Sequence, residues 1–378
     1  MKLTTSVPSS SHPISSKLVA GGLCFVLLTA GIYWYQIERI QPGDTLPALK
    51  DLHWGFLLLI LLFLPLETIA AATRIWVVSR VLHPSVRLWT CVKAELSNVA
   101  VSTLTPSQTG GGPAQVYILC NAGMKVGTAL TISLLSFVGT MAALLIIGLV
   151  CLIFPGNYPL GTAFTTAVAA FVLVASLMAF AAACPAIIRI PLAALSRFLS
   201  KRRNSSSTLQ DWWPPESKRN EPPVDRMGRL ASKLVDLLYL YRDDVRSFFN
   251  YGKLKFLWVC LLSLVIFTAR LILPYFCLRF LGIAGTTAGA FIQSQMALIF
   301  IVFFAPTPGS AGLGEAASMM ILSDTVPAGF LPYYNLLWRS STVYIAAVAG
   351  LLCLLQSVAN NARGIFQYSN RQVKLWRE

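Results

Sequence analysis

The chain repeatedly runs apolar for about 20 residues, the length an α-helix needs to cross the ~30 Å hydrocarbon layer of a bilayer. Six segments reach that length: 18–36, 54–73, 127–154, 160–184, 255–281 and 333–357. Inside hydrocarbon, every backbone N–H and C=O needs a partner within the protein, so spans without alternating polarity fold as helices. The sequence therefore predicts an all-α integral membrane protein of about six transmembrane helices. The first run could pass for a signal peptide. It exceeds the usual ~7–15 apolar residues, however, and ends in IYWYQIERI rather than at a small-residue cleavage site, so it reads as an uncleaved anchor. Residues 1–16, rich in Ser, predict a disordered tail.

Composition narrows the function classes. Only 12% of the 378 residues are charged, against roughly 25% in soluble domains, which excludes a soluble enzyme. Lys and Arg number 30 against 15 Asp and Glu, a net charge of +15. In a soluble protein that excess would suggest nucleic acid. Here it follows the rule that basic residues gather in cytoplasmic loops, so no nucleic-acid partner is expected. The basic segments 74–93 and 197–229 and the tail place both termini in the cytoplasm. Eight cysteines without a C-x-x-C pair and three histidines support no metal site and no cofactor.

The expected organisation is a first membrane half at 17–196, a polar Pro- and Ser-rich cytoplasmic linker at 197–228, an amphipathic helix at 229–250 that lies on the membrane interface or packs on the protein itself, a second membrane half at 251–360 and a basic tail at 361–378. Six crossings fit this orientation only if two further apolar stretches, 94–124 and 286–325, enter the bilayer without crossing it. Each is interrupted by Pro and several Gly, which argues against a continuous helix.

Those interruptions form a repeat. Thr105-Pro-Ser-Gln-Thr-Gly-Gly-Gly-Pro-Ala114 and Thr307-Pro-Gly-Ser-Ala-Gly-Leu-Gly-Glu-Ala316 both fit T-P-x-x-x-G-x-G-x-A at an offset of 202 residues. Entering from opposite sides, the motifs at 105–114 and 307–316 would be paired re-entrant hairpins of an inverted repeat, a device that builds substrate sites near the midplane. Proline ends the incoming helix, glycines allow close approach, and the next half-helix starts with free N–H groups and a positive dipole end suited to an anion. The plainer account is that Gly and Pro merely let each hairpin turn tightly.

Charges inside spans cost at least ~2.5–3.5 kcal/mol each unless paired or hydrated. Arg270 and Arg339 lie in the fifth and sixth runs, Glu67 and Arg74 belong to the second, and Glu315 follows the second motif's last glycine. Internal pairing of Glu67 or Glu315 with Arg270 would satisfy burial, and three Arg against two Glu would leave one positive charge for an anionic ligand. Lys93, Glu95 and Arg279 are expected nearer the interfaces, with snorkelling side chains.

TPSQTGGGPAQVY, APTPGSAGLGEA, Arg74-Ile-Trp76 and Arg339 together make the chain, over roughly 20–360, resemble the lysylphosphatidylglycerol synthase transmembrane, or flippase-like, family. Its members resemble the flippase half of the bacterial multiple peptide resistance factor, which moves aminoacylated phosphatidylglycerol between leaflets of the cytoplasmic membrane. The resemblance implies a lipid head-group cavity between re-entrant hairpins. The residues assigned to binding are Thr105, Pro106, Gly110, Gly112, Gln115, Arg74, Arg270, Pro308, Gly312, Gly314, Glu315 and Arg339, with Glu67 as charge partner. Where many members carry an acid after the first glycines, this chain reads Pro113-Ala114-Gln115, and it ends at 378 without the soluble aminoacyl-transferase domain. It thus resembles a stand-alone member. The implied function is to bind a phospholipid or related lipid with an anionic or zwitterionic head group and move it across the membrane, without catalysis. Two other readings stay open: an integral-membrane lipid-phosphate or glycosyl transferase, and a non-transporting partner of a lipid synthase. Membrane lipids are the expected partners, with a homodimer and a separate synthase left open.

Overall fold

The apolar runs close their own backbone hydrogen bonds as long helices, and the Gly/Pro segments interrupt them. The computed structural model describes residues 16–38, 49–153, 223–323 and 325–375, with isolated positions between 169 and 176. In chain order its helices are α1 (Ser16–Glu38), α2 (Trp54–Leu82), α3 (Leu88–Leu104), α4 (Gly111–Asn121), α5 (Val126–Ile153), α6 (Pro223–Phe280), α7 (Ala288–Phe304), α8 (Leu313–Leu322), α9 (Leu331–Arg339) and α10 (Ile345–Leu375). Among the described residues the protein is all-α. Five segments are long and apolar enough to cross a membrane: Val19–Glu38, Trp54–Leu82, Val126–Val150, Asp243–Phe280 and Ala328–Asn361. They match five of the six expected runs. The run at 160–184, the N-terminal tail and most of the 197–228 linker fall outside the described residues.

The helix expected at 229–250 and the fifth span meet within α6 at Gly252, whose non-helical φ of −135° and ψ of 24° break the run into two helices. The last span is widened by a π-helical turn at Ser340–Tyr344, immediately after Arg339. Its continuation, α10, runs on to Leu375, through most of the segment expected as a tail. Pro65 and Pro274 lie inside α2 and α6, which helices at membrane depth tolerate when neighbours satisfy the freed carbonyls.

The chain forms two compact units, each assembled from three stretches. The first comprises Met1–Leu62, Leu96–Ala114 and Leu273–Leu355; the second comprises Phe63–Glu95, Gln115–Ile272 and Gln356–Glu378. In the first unit, small residues let helix backbones meet. A Cβ on Gly21 or Gly350 would land on the carbonyls of Leu104 or Leu96, so α1 and α10 both pack directly against α3. The centre of that unit is aromatic, with Phe291 edge-on to Tyr334 at 5.9–6.4 Å ring contacts that continue to Tyr275 and Trp338. In the second unit Ala70, Ala71 and Ile266 form a buried cluster capped by Leu262, and Gly139 brings α5 against Val259 and Ser263 of α6.

Candidate functional site

Both Gly/Pro motifs fall in the first unit, and their tips touch. Pro106 and Pro308 form an isolated antiparallel β-bridge. Neither proline carries an N–H, so neither donates across the bridge. The two loops also share a backbone. Ser107 and Gln108 adopt left-handed φ of 50° and 56°, and the residues 202 positions on, Gly309 and Ser310, both have φ 56°. Gln108 N–H donates to Thr105 O and Ser310 N–H to Thr307 O; Thr109 N–H donates to Pro106 O and Ala311 N–H to Pro308 O; Ala114 N–H donates to Gly110 O and Ala316 N–H to Gly312 O. A left-handed Ser or Gln is uncommon, so its recurrence at matching positions makes the repeat a structural one.

Each loop is flanked by similar helices: 17 residues before and 11 after in the first case, 17 and 10 in the second. At 1.5 Å per residue these are about 26 Å and 15–17 Å long, all short of the ~30 Å hydrocarbon thickness.

The loops differ in how they are held. In the second, Glu315 Oε2 accepts from Gly312 N–H at 2.8 Å, the third-residue half of a capping box. Its Oε1 lies 2.8 Å from Arg339 Nε, and the two residues are 1% and 2% exposed. Arg339 Nη1 donates to Ser310 Oγ (3.1 Å) and Gly309 O (3.4 Å), and Nη2 donates to Ser310 O (3.2 Å). The guanidinium also lies over the Trp338 ring at 4.7 Å. The fork thus binds carboxylate and loop together, and Gly314 leaves room for it: a Cβ there would land on the guanidinium. The positive end of α8, expected to be open to a ligand, is already neutralised from within the protein.

The first loop has neither group. Pro113 stands where the second carries Glu315, no acid lies in the first turn of α4, and Gly110 N–H donates instead to Thr105 Oγ1 at 2.9 Å. Pro106, Ser107, Gln108 and Thr109 are exposed, whereas Pro308, Gly309, Ser310 and Ala311 are buried. One copy of the motif is an open loop before an uncompensated helix start; the other is its buried, ion-paired counterpart. Gly112 is the second residue of α4.

Beside the Glu315–Arg339 pair, in the same unit, runs a buried polar chain. Ser318 Oγ donates to Asn335 Oδ1 (2.7 Å), and Asn335 Nδ2 donates to Gln36 Oε1 (3.4 Å), linking α8, α9 and α1.

The remaining expected residues lie in the second unit. Arg270 pairs with Glu67, the partner named as one of two alternatives, and its side chain is 38% exposed. Arg74, seven residues from Glu67, turns to other partners: Nη1 donates to Thr140 Oγ1 (2.7 Å) and Ser263 Oγ (3.1 Å). Gln115 is buried and accepts from Ser133 Oγ at 3.1 Å.

Glu95 corrects the charge balance. Expected at an interface, it is instead 7% exposed and lies within electrostatic reach of Arg74. Counting the expected site charges together with Glu95, Glu315 balances Arg339 in the first unit and Glu67 and Glu95 balance Arg270 and Arg74 in the second, so no spare cation remains among these six. A signal for this was present: Cys91, Glu95, Asn98 and Ser102 recur at intervals of four, three and four residues along one face of α3. Nothing in the sequence marked Gln36 or Asn335, which meet across 299 positions.

Residues 19–350 match the family described as the lysylphosphatidylglycerol synthase TM region. The chain is also 23% identical over 343 residues to a UPF0104 membrane protein of Archaeoglobus fulgidus, an alignment that covers 89% of this chain and 96% of that one. With the family matched across nearly its whole length and the paired motifs in place, this chain belongs to the lysylphosphatidylglycerol synthase transmembrane-region family.

Proposed function

We propose that this protein binds a membrane lipid by its polar head group at the first Gly/Pro loop, Thr105–Gly112, and carries that head group across the bilayer. The observation that carries the reading is the unequal pair of loops: same backbone, bridged tips, one buried and charge-neutralised, the other exposed before a helix with no acid in its first turn. Such a start favours the phosphate of an anionic or zwitterionic lipid. The short flanking helices suit two re-entrant hairpins, since segments of about 15–26 Å enter a ~30 Å layer without crossing it. In this reading Thr105, Pro106, Gly110 and Gly112 meet the head group, while Pro308, Gly312, Gly314, Glu315 and Arg339 brace the loop that opposes it. In the second unit, Gln115, Arg74 and Arg270, with Glu67 as charge partner, form that unit's own set of head-group ligands. The basic loops orient both termini toward the cytoplasm of a bacterial cell, with the protein in its cytoplasmic membrane. Two of the acids on which a lipid-modifying enzyme could draw, Glu67 and Glu315, are already committed to arginines, which favours transport.

Reconstitution tests this. Liposomes holding the protein and fluorescent phosphatidylglycerol should lose inner-leaflet probe to an external quencher faster than empty liposomes. Thr109→Trp, which fills the open loop at an exposed position, should return the rate to the empty-liposome value while the protein still elutes as a single folded species. Equal rates with and without wild-type protein would overturn the reading.

A further inference from the structure

Arg74 is a cation held ready but incompletely engaged. Thr140 and Ser263 each donate their own hydroxyl hydrogen to a carbonyl four residues back, Ser136 O and Val259 O. Both hydroxyl oxygens are thereby turned to accept from Arg74 Nη1. Among the described residues no other nitrogen of this guanidinium makes a hydrogen bond, and Nε is fully buried without one. A planar fork fixed at one corner by neutral hydroxyls is suited to a bidentate oxyanion.

Glu95 is the complementary anomaly. Its side chain is 7% exposed, and Oε2 is buried with no hydrogen-bond donor. It makes no ion pair among the described residues, although it lies within the field of Arg74. A carboxylate this far from water is costly as a bare anion and remains charged only while a cation offsets it. The charged groups acting on it are Arg74 and Glu67 from α2 and Arg270 from α6. The α5 side chain in the cluster, Thr140, is a neutral hydroxyl. Glu67 and Arg270 hold each other directly, so Arg74 is the cation whose charge Glu95 depends on.

We propose that Arg74 is an oxyanion-binding point within the membrane, for a phosphate group, and that Glu95 takes up one proton from water whenever that anion binds. The four charges Glu67, Arg74, Glu95 and Arg270 cancel. A phosphate monoanion on Arg74 would leave one uncompensated negative charge in a low-dielectric site, and protonating Glu95 Oε2 removes it with no new cation. Release reverses both steps: the anion leaves, Glu95 gives its proton back to water, and Arg74 again offsets the carboxylate. Anion movement is thereby tied to proton movement in the same direction, which supplies a driving force without a nucleotide. This depends on the lipid-transport reading only for the source of the phosphate, a lipid head group or the free ion.

The full-length protein in neutral detergent, weakly buffered with a pH-indicator dye, tests the link directly. Dihexanoylphosphatidylglycerol, inorganic phosphate and uncharged dihexanoylglycerol are added in separate arms. The expected result is uptake of about one proton per bound phosphate-bearing ligand, and none with dihexanoylglycerol. Uptake with the lipid alone assigns the site to a head group, and uptake with inorganic phosphate as well assigns it to the oxyanion itself; either supports the proposal. Glu95→Gln should bind the anion without proton uptake, and Asp243→Asn, at an exposed carboxylate, should keep it. Should Glu95→Gln fail to fold, the wild-type protein still decides: the anion's Kd should weaken about tenfold per pH unit once Glu95 is ionised in the free protein. Anion binding with no proton uptake and a pH-independent Kd would overturn the proposal, as would no binding of either anion. Proton uptake that persists in a protein unable to move lipid would overturn the transport reading and leave this one standing.

Discussion

Ser107 and Gly309 occupy the same left-handed position in the two loops, yet they are not interchangeable, because the space around them differs. Ser107 is exposed and carries a side chain in a conformation that costs an L-residue roughly 1–2 kcal/mol. Gly309 is buried, and a Cβ there would meet Phe25 at 2.8 Å and the Thr103 backbone oxygen at 3.0 Å. Ser107→Gly should therefore be neutral or stabilising by up to about 1 kcal/mol. Gly309→Ser, which only copies the other loop's residue, should destabilise by about 2–4 kcal/mol from strain and overpacking together. Thermal unfolding in detergent followed by thiol-reactive dye would show the first variant melting at or above wild type and the second well below it. Equal melting temperatures would mean that the backbone conformation alone decides these positions.

At the scale of elements, the π-helical turn Ser340–Tyr344 directly follows the residue that braces the second loop. A π turn holds one residue more than an α turn. With α10 anchored by Gly350 against Leu96, that extra residue sets the rotation at which Arg339 reaches Glu315 and Ser310. Deleting Thr342 should restore a regular helix and rotate α9 by about 100° relative to α10. Arg339 would leave the carboxylate, and a buried charge without its partner costs about 3–5 kcal/mol. The deletion should thus lower the melting temperature as much as Arg339→Met does, and adding Arg339→Met to it should lower it no further. Additive losses in the double variant would show that the turn acts through something other than the ion pair.

For the whole molecule, the bridge between Pro106 and Pro308 constrains how the protein sits in a bilayer. Two loops whose tips meet in a β-bridge must lie at one depth. Nitroxide labels at Thr109 and Leu313, both exposed, should report the same depth in power-saturation measurements on reconstituted protein. Labels at Trp54 and Leu82, the two ends of α2, should report opposite surfaces. Loop labels at clearly different depths would be incompatible with paired re-entrant hairpins.

The sequence by itself determined the solvent, the secondary structure and the repeat. Runs of 20 apolar residues admit only helices in hydrocarbon, and two T-P-x-x-x-G-x-G-x-A motifs mark where helices must break, because Pro and Gly act on the backbone locally. Partner choice was not legible. Glu67 and Arg270 are 203 positions apart, and Gln36 meets Asn335 across 299. No local rule says which buried acid a given arginine will find. Nor did the motif reveal that its two copies differ in exposure, or that Ser107, Gln108 and Ser310 turn left-handed, since both follow from what packs around each loop. Glu95 makes the division clearest: its residue type and the stripe on α3 were visible in the sequence, but only the tertiary packing buried it and made it a counter-charge to Arg74.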